Sequence, residues 1–397
     1  ERLVSFPSVS GRESDAQNYV SEILENLSFS IDRWEPDFDE LKKHPAFLSP
    51  RTSFSGSPNV VGVRKGCGQG RSLILNSHID VVPPGNTGWE HDPWTPVRKG
   101  GLLYGRGASD MKGGAAAIYH ALEGIRATGI DPRGDIIVES VIEEEAGGAG
   151  TLACVLRGYK ADAGIVPEPS GMDIYPAAMG SMWFRITVKG KAAHGATAYL
   201  GVNPIEKAGT VIAALKRLET ERTERNRHPL YTHLPVPFCI NIGTLRGGNW
   251  PSSVPEEAVM EGRMGVAPSE TIEEARSVFE EAVGKAGADD PWLSANPPVV
   301  EWFGSCWSSG EIPQNHPAAE SLTANIAEVT GKKPAVTGAP WATDAAVLIR
   351  YGNTPTIICG PGTGSMAHQT NEYISETDLL AYTEILAVTI LDWCGYR

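Results

Sequence analysis

Two rhythms of apolar positions alternate along the first part of the chain. GRESDAQNYVSEILENL (11–27) repeats at helical spacing, as does the alanine-rich MKGGAAAIYHALEGIRATG (111–129), which closes on a glycine. NVVGVRKG (59–66), SLILNSHID (72–80), GDIIVESVIEEE (134–145) and ADAGIVPEP (161–169) read as strands, and SLILNSHID is apolar on both faces. Strands alternating with helices predict an α/β fold with a mostly parallel sheet flanked by helices.

The rhythm then changes. SMWFRITVKG (181–190) alternates like a half-exposed strand, and a helix, two more strands, another helix and PVVEWFG (298–304) follow. This β-α-β-β-α-β order predicts a small two-layer α+β module with an antiparallel sheet. After SSGEIPQNHP the α/β pattern resumes, ending in the helix SETDLLAYTEILAVTILDWC (375–394) with a Ser-x-x-Asp start. The expected organisation is a catalytic domain in two parts, 1–179 and 311–397, interrupted by a lid at 180–310.

Composition narrows the classes of function. The 397 residues suffice for two domains, and a net charge of −14 argues against nucleic acid and anionic membranes as partners. No apolar run reaches the ~20 residues of a membrane span. The six cysteines are dispersed without a CxxC pair, which favours free thiols, a cytoplasmic location and no thiolate metal site.

The ends of the predicted strands carry the chemistry. His78 and Asp80 end one strand, Glu143, Glu144 and Glu145 another, and Glu168 a third; Asp110 precedes a helix, and His368 follows TIICGPG. Ligands of open α/β sheets gather beyond the carboxyl ends of strands, so these segments deliver ionisable groups to one edge. Carboxylates crowded in this way require cations. His78, Asp110, Glu145, Glu168 and His368 can hold two divalent ions, and if Asp110 bridges, each ion also receives one histidine and one terminal carboxylate. Nitrogen and oxygen donors without thiolate suit zinc; cobalt and manganese also fit. Asp80 can accept the second imidazole N–H of His78, and Glu144 is the candidate general base toward water.

NSHIDVVPPG, GRGASDMKGG, EEEAGG, VPEPS and MAHQTNE, in that order, resemble the motifs of the two-zinc family of acetylornithine deacetylase, succinyl-diaminopimelate desuccinylase, aminoacylase and the glutamate-releasing carboxypeptidases. The resemblance implies a zinc-exopeptidase-like catalytic domain. It assigns His78 and Glu168 to one zinc, Glu145 and His368 to the other, Asp110 to both, and Glu144 to the base; a register slip of one would make Glu143 the base. It also implies a cis Asp110–Met111 peptide. GKAAHGATAYLGVNPIEKA resembles the lid segment that offers a histidine, here His194, to the partner subunit's active site, which implies a homodimer built through the lid. By the same resemblance Thr343 and Asp344 of WATDAA, Ser252 and Arg263 are substrate-binding candidates, and Trp341 adjoins the pocket segment.

One departure bears on substrate. Glutamate-releasing relatives carry a late lid arginine that clamps an α-carboxylate, whereas EWFGSCWSSGEIP (301–313) has none and offers Trp302 and Trp307. The expected activity is hydrolysis of an amide in a small N-acylated substrate, of acetylornithine deacetylase or succinyl-diaminopimelate desuccinylase type. Alternatives are deformylation or deacylation of an aromatic amine such as a formylaminopyrimidine, dipeptide cleavage, and a metal-binding module without catalysis. His91, His120, His228, His233 and His316 read as structural, and the glycines of GRGASDMKGG lack the phosphate-loop pattern GxxxxGK[ST].

Overall fold

The computed structural model describes residues 1–86, 88–288 and 290–397. The chain forms two compact units: 1–178 with 310–339 and 343–397, and 179–309 with 340–342. The short run 340–342, which the sequence reading leaves in the returning part of the first domain, groups with the second unit.

The first unit is built on a nine-stranded mixed sheet whose centre is parallel. Leu73–His78 lies between Ile136–Val141 and Ala163–Val166, parallel to both, and Thr356–Ile358 extends the parallel set beside Ala163–Val166. Ser30–Trp34 and Asn59–Arg64 continue antiparallel on one side. All six residues of Leu73–His78 and of Ile136–Val141 are buried, as expected of central strands covered on both faces. Leu75, Val138 and Ile165 of the sheet share one core with Ile118 and Leu122 of the helix Gly113–Thr128 and with Ile385 and Leu386 of the helix Glu376–Cys394. Ser375 caps the latter by accepting from the Asp378 N–H at 3.2 Å. Among the described residues, no helix is long and apolar enough to cross a membrane.

Close packing sets the approach of Gly113–Thr128 to the neighbouring strand end. A Cβ on Gly114 would lie 2.2 Å from the Pro167 carbonyl oxygen, so only glycine lets this helix start against the loop that carries Glu168.

The second unit is an antiparallel four-stranded sheet in the order Ile240–Gly247, Glu257–Val266, Gly180–Lys189, Val299–Trp307. Phe184, Ile186 and Val188 alternate inward along the third of these strands, and the rings of Phe184 and Phe279 lie 4.6 Å apart where the helix Ile272–Lys285 covers the sheet. A fully buried arginine, Arg222, holds the module together by donating to Glu270 and to the carbonyls of Phe238 (3.2 Å) and Gly265 (2.9 Å).

Candidate metal centre

The strand Leu73–His78 ends with His78 at 1% exposure. Its Nδ1 lies 2.9 Å from the carbonyl oxygen of Asp80 and 3.7 Å from the Asp80 carboxylate. This differs from the expectation that the carboxylate would accept the imidazole proton. The turn after the strand brings the backbone carbonyl closer, and the Asp80 carboxylate accepts instead from the N–H groups of Glu144 (3.3 Å) and Glu145 (3.1 Å). Asp80 therefore orients two things at once: the ring of His78 and the backbone of the acidic loop.

A carbonyl can only accept, so the proton of a neutral His78 sits on Nδ1 and the lone pair on Nε2. That lone pair faces Asp110 Oδ1 at 3.2 Å and Glu168 Oε2 at 3.9 Å. The other oxygen of Asp110 lies 3.5 Å from His368 Nε2, which is 2.9 Å from Glu145 Oε2. Asp110 thus turns one oxygen to each imidazole, from a loop whose Asp110–Met111 peptide is cis. His78, Glu144 and Glu168 form one donor group with atoms within 4.8 Å of one another, and His78, Asp110 and Glu145 form a second.

The donor set fits divalent cations. Acceptor faces acceptor across His78, Asp110 and Glu168, an arrangement that a cation between them stabilises. Among the described residues, every ion pair of Asp110, Glu145 and Glu168 has an imidazole as its partner, and one buried Glu145 oxygen has no hydrogen-bond partner at all. Burial pushes the Glu168 carboxyl up to about 7 against the pull of His78, and it drives Glu144 well above the usual carboxylate range. Its hydrogen bond to Glu145 raises His368 to about 9. Thiolates take no part, and the six cysteines are all free.

The acidic run resolves into three roles. Glu143, in left-handed backbone at φ 62°, is fully buried and turns to Ser10, Ser49 (3.1 Å) and Arg51 (3.2 Å). Glu144 faces His78 and Glu168, and Glu145 faces His368. Glu143 is therefore committed to anchoring the loop, a role invisible in EEEAGG because its partners come from the chain's beginning.

Thr343 and Asp344 are each 1% exposed, and Thr343 donates to Glu168 Oε1 at 3.1 Å. Burial pushes the Asp344 carboxyl up to about 6 and that of the neighbouring Glu139, fully buried and held by Asn76 at 2.9 Å, to about 7. Thr343 and Asp344 immediately precede the helix Ala345–Arg350.

His194, Ser252, Arg263 and Trp341 are carried by the second unit. His194 is exposed, with Nδ1 accepting from the Ala196 N–H at 3.1 Å, and Gly195 bonds the carbonyl of Ser252 at 2.7 Å. Arg263 lies opposite Trp183 in the sheet, and Trp341 is partly exposed. Trp302 is engaged in packing rather than open as an aromatic platform: its Nε1 donates to Glu280 at 2.7 Å and its ring lies 5.1 Å from that of Phe279.

Residues 74–392 match the profile of Peptidase family M20/M25/M40. The chain belongs to this family. It is 33% identical to the N-formyl-4-amino-5-aminomethyl-2-methylpyrimidine deformylase of Bacillus subtilis, over all of this chain and 93% of the relative. It is 28% identical to a probable succinyl-diaminopimelate desuccinylase of Staphylococcus aureus, covering 96% of this chain and 93% of that one. The fold is shared with an M20 metallo-carboxypeptidase of Sulfolobus solfataricus at a TM-score of 0.76 and 17% identity, covering 98% and 97% of the two chains. This M20 chain is a hydrolase of carbon–nitrogen amide bonds in small N-acyl substrates, and its reaction is metal-dependent.

Proposed function

We propose that this hydrolase removes the formyl group from an aminomethylpyrimidine or a closely similar aromatic amine, using two divalent ions, zinc first among them. The observation that carries the two-ion reading is the disposition of Asp110, one oxygen toward His78 Nε2 and the other toward His368 Nε2. His78 with Glu168 and His368 with Glu145 would complete the two ligand sets, and ions bound there would act as Lewis acids toward the amide carbonyl and toward water.

Glu144 takes the proton from the attacking water. The new bond joins the water oxygen to the carbonyl carbon, the C–N bond breaks, and Glu144 returns the proton to the departing nitrogen, leaving the free amine and formic acid, which ionises to formate by releasing its proton to solvent. Burial among Glu168, Asp344 and Glu145 supports this role, because a carboxyl raised in this way holds a proton more readily than an exposed one.

The formyl substrate is supported by 33% identity over the full chain and by the absence of an arginine from residues 301–313. It takes precedence over acetylornithine-type deacylation. His194 would steady the tetrahedral oxyanion from a partner subunit. A homodimer through the second unit is supported by the exposure there of Tyr199 (82%), Trp250 (67%) and Leu200 (58%). Six free cysteines support a reducing, cytoplasmic setting.

The test is a panel of N-formyl aminomethylpyrimidine, N-acetylornithine, N-succinyl-diaminopimelate and a dipeptide, assayed with zinc and with chelator. The formyl compound should give the highest kcat/KM, and chelation should abolish it. Faster turnover of the succinyl or acetyl compound would overturn the substrate assignment.

A further inference from the structure

His368 is the most exposed of the proposed ligands, with 53% of its side chain accessible against 1% for His78 and 13% for Asp110. It sits in a loop, in left-handed backbone at φ 64°. Such a residue needs something rigid to hold it at bridging distance from Asp110. Glu372, the last residue of MAHQTNE, has no role in the reaction above, yet its side chain is fully buried. One of its oxygens accepts from the N–H groups of Ser109 (2.8 Å) and Asp110 (3.0 Å). The other accepts from the Gly107 N–H (2.9 Å) and from Arg106 Nη1 (2.7 Å). Arg106 in turn donates to the carbonyls of Gln369 (3.2 Å) and His368 (3.5 Å).

The bonds close a ring between two loops far apart in sequence. Glu372 grips the backbone of the segment that ends in Asp110, and Arg106 grips the backbone that carries His368. Just beyond, Tyr373–Ser375 pairs antiparallel with Leu102–Tyr104, so both loops spring from one small sheet. The sheet sets their general direction. The buried ion pair sets their separation, because four donors converge on a single carboxylate.

We infer that Glu372, with Arg106, is a positioning residue that fixes the His368 loop against the Asp110 loop and so determines the affinity of the ion shared by Asp110, Glu145 and His368. The inference rests on the two-ion reading of the site. The other ion shares Asp110 but takes its own ligands, His78 and Glu168, from the ends of central strands that the clasp does not touch. The consequence is an unequal loss: damage to Glu372 weakens the ion held by the His368 loop far more than the other.

The test uses chelator-stripped full-length protein titrated with Co2+, followed by calorimetry and by visible absorption. Wild type should take two ions. Glu372→Gln replaces one accepting oxygen with an NH2 that opposes the donors of Arg106 and Gly107. It should bind the second ion ~10–100-fold more weakly, the range seen when groups that orient metal ligands are lost, and the first, which shares only Asp110 with the clasp, with a much smaller change. Circular dichroism checks the fold of the metal-free variant. Arg106→Lys, which keeps the charge and loses the two carbonyl contacts, should show the same split and carries the test if Glu372→Gln does not fold. Two ions bound by the variant with wild-type affinities, or both weakened alike, would overturn the clasp. Fewer than two ions bound by wild type would overturn the two-ion reading itself, and the clasp with it.

Discussion

Glu144→Gln separates the two things a buried glutamate beside a metal centre can be. Glu144 is 7% exposed and shares a donor group with His78 and Glu168, so its position alone suits either a ligand or a base. Glutamine has the same shape and can still accept a hydrogen bond, but it cannot take up a proton at neutral pH. Its backbone anchor, the N–H donated to Asp80, is untouched by the change. A general base contributes about 10²–10⁴-fold to rate. At ~1.36 kcal/mol per decade, the barrier should rise by ~2.7–5.4 kcal/mol, all of it in kcat. KM should move little, since the substrate is held by other groups. The assay is steady-state deformylation beside metal content after equilibration with zinc and desalting. Two ions per chain with kcat down at least ~100-fold is the expected pair of results. A variant that turned over at near wild-type rate would refute the proton transfer. One that lost an ion would reassign Glu144 as a ligand.

Thr343→Val keeps the shape of a buried side chain and removes the donor to Glu168; zinc affinity by chelator competition should fall by ~10-fold, with stability reduced by ~1 kcal/mol. An unchanged affinity would show that Glu168 needs no such partner. In the second unit, Arg222→Ala leaves Glu270 and two carbonyls buried without their main donor. Loss of one partner from a buried pair costs ~3–5 kcal/mol, and the remaining contact of Glu270 with Arg225 at 3.1 Å argues for the lower end. The thermal midpoint should fall on the order of 10 °C. The same pair gives a pH dependence. Burial raises the Glu270 carboxyl, but Arg222 outweighs it and holds the group below its ordinary value of 4.5. Its stabilising contribution is thus complete above pH 4.5 and lost as pH falls through the depressed folded value. Wild type and Arg222→Ala should converge in stability on acidification below that point, as read by denaturant unfolding.

The convergence of acids and histidines was legible because it depends on where strands end. SLILNSHID and GDIIVESVIEEE are strand-forming segments that stop at ionisable residues, and parallel neighbours must stop at the same edge. The antiparallel second unit was legible from its alternation. What a period does not encode is which atom of a residue faces its partner. The Asp80 carbonyl, not its carboxylate, is nearer His78 because of one turn's geometry, and that turn leaves no mark in composition. Glu143 and Glu372 escaped for a related reason. Each is bonded to residues distant in sequence, Ser10 and Arg51 for the one and Arg106 for the other, and a glutamate in a polar segment reads as solvated. The burial of Thr343 and Asp344 likewise leaves no local mark in WATDAA.

The charge of the centre follows from how the surrounding cations are committed. Asp110, Glu144, Glu145 and Glu168 crowd around two imidazoles, and a lysine or arginine among them would be the simplest neutralisation. The candidates lie close by in sequence or space. Lys112, two residues from Asp110, is buried but donates its Nζ to the carbonyl of Phe6 at 2.7 Å, and burial pushes the amine down to about 7. Arg106 is bound to Glu372, and Arg51 to Glu13 and Glu143. Each of these cations is tied to a partner that shapes a loop, and none enters the donor cluster. A protein that spends its arginines on positioning the carboxylates, and withholds them from neutralising the carboxylates, has left that charge for ions from solution. The same arrangement shows how Glu144, as the proposed base, and the proposed ligands could share one buried pocket: its negative charge would attract ions, and the ions in turn would let several carboxylates remain ionised at neutral pH.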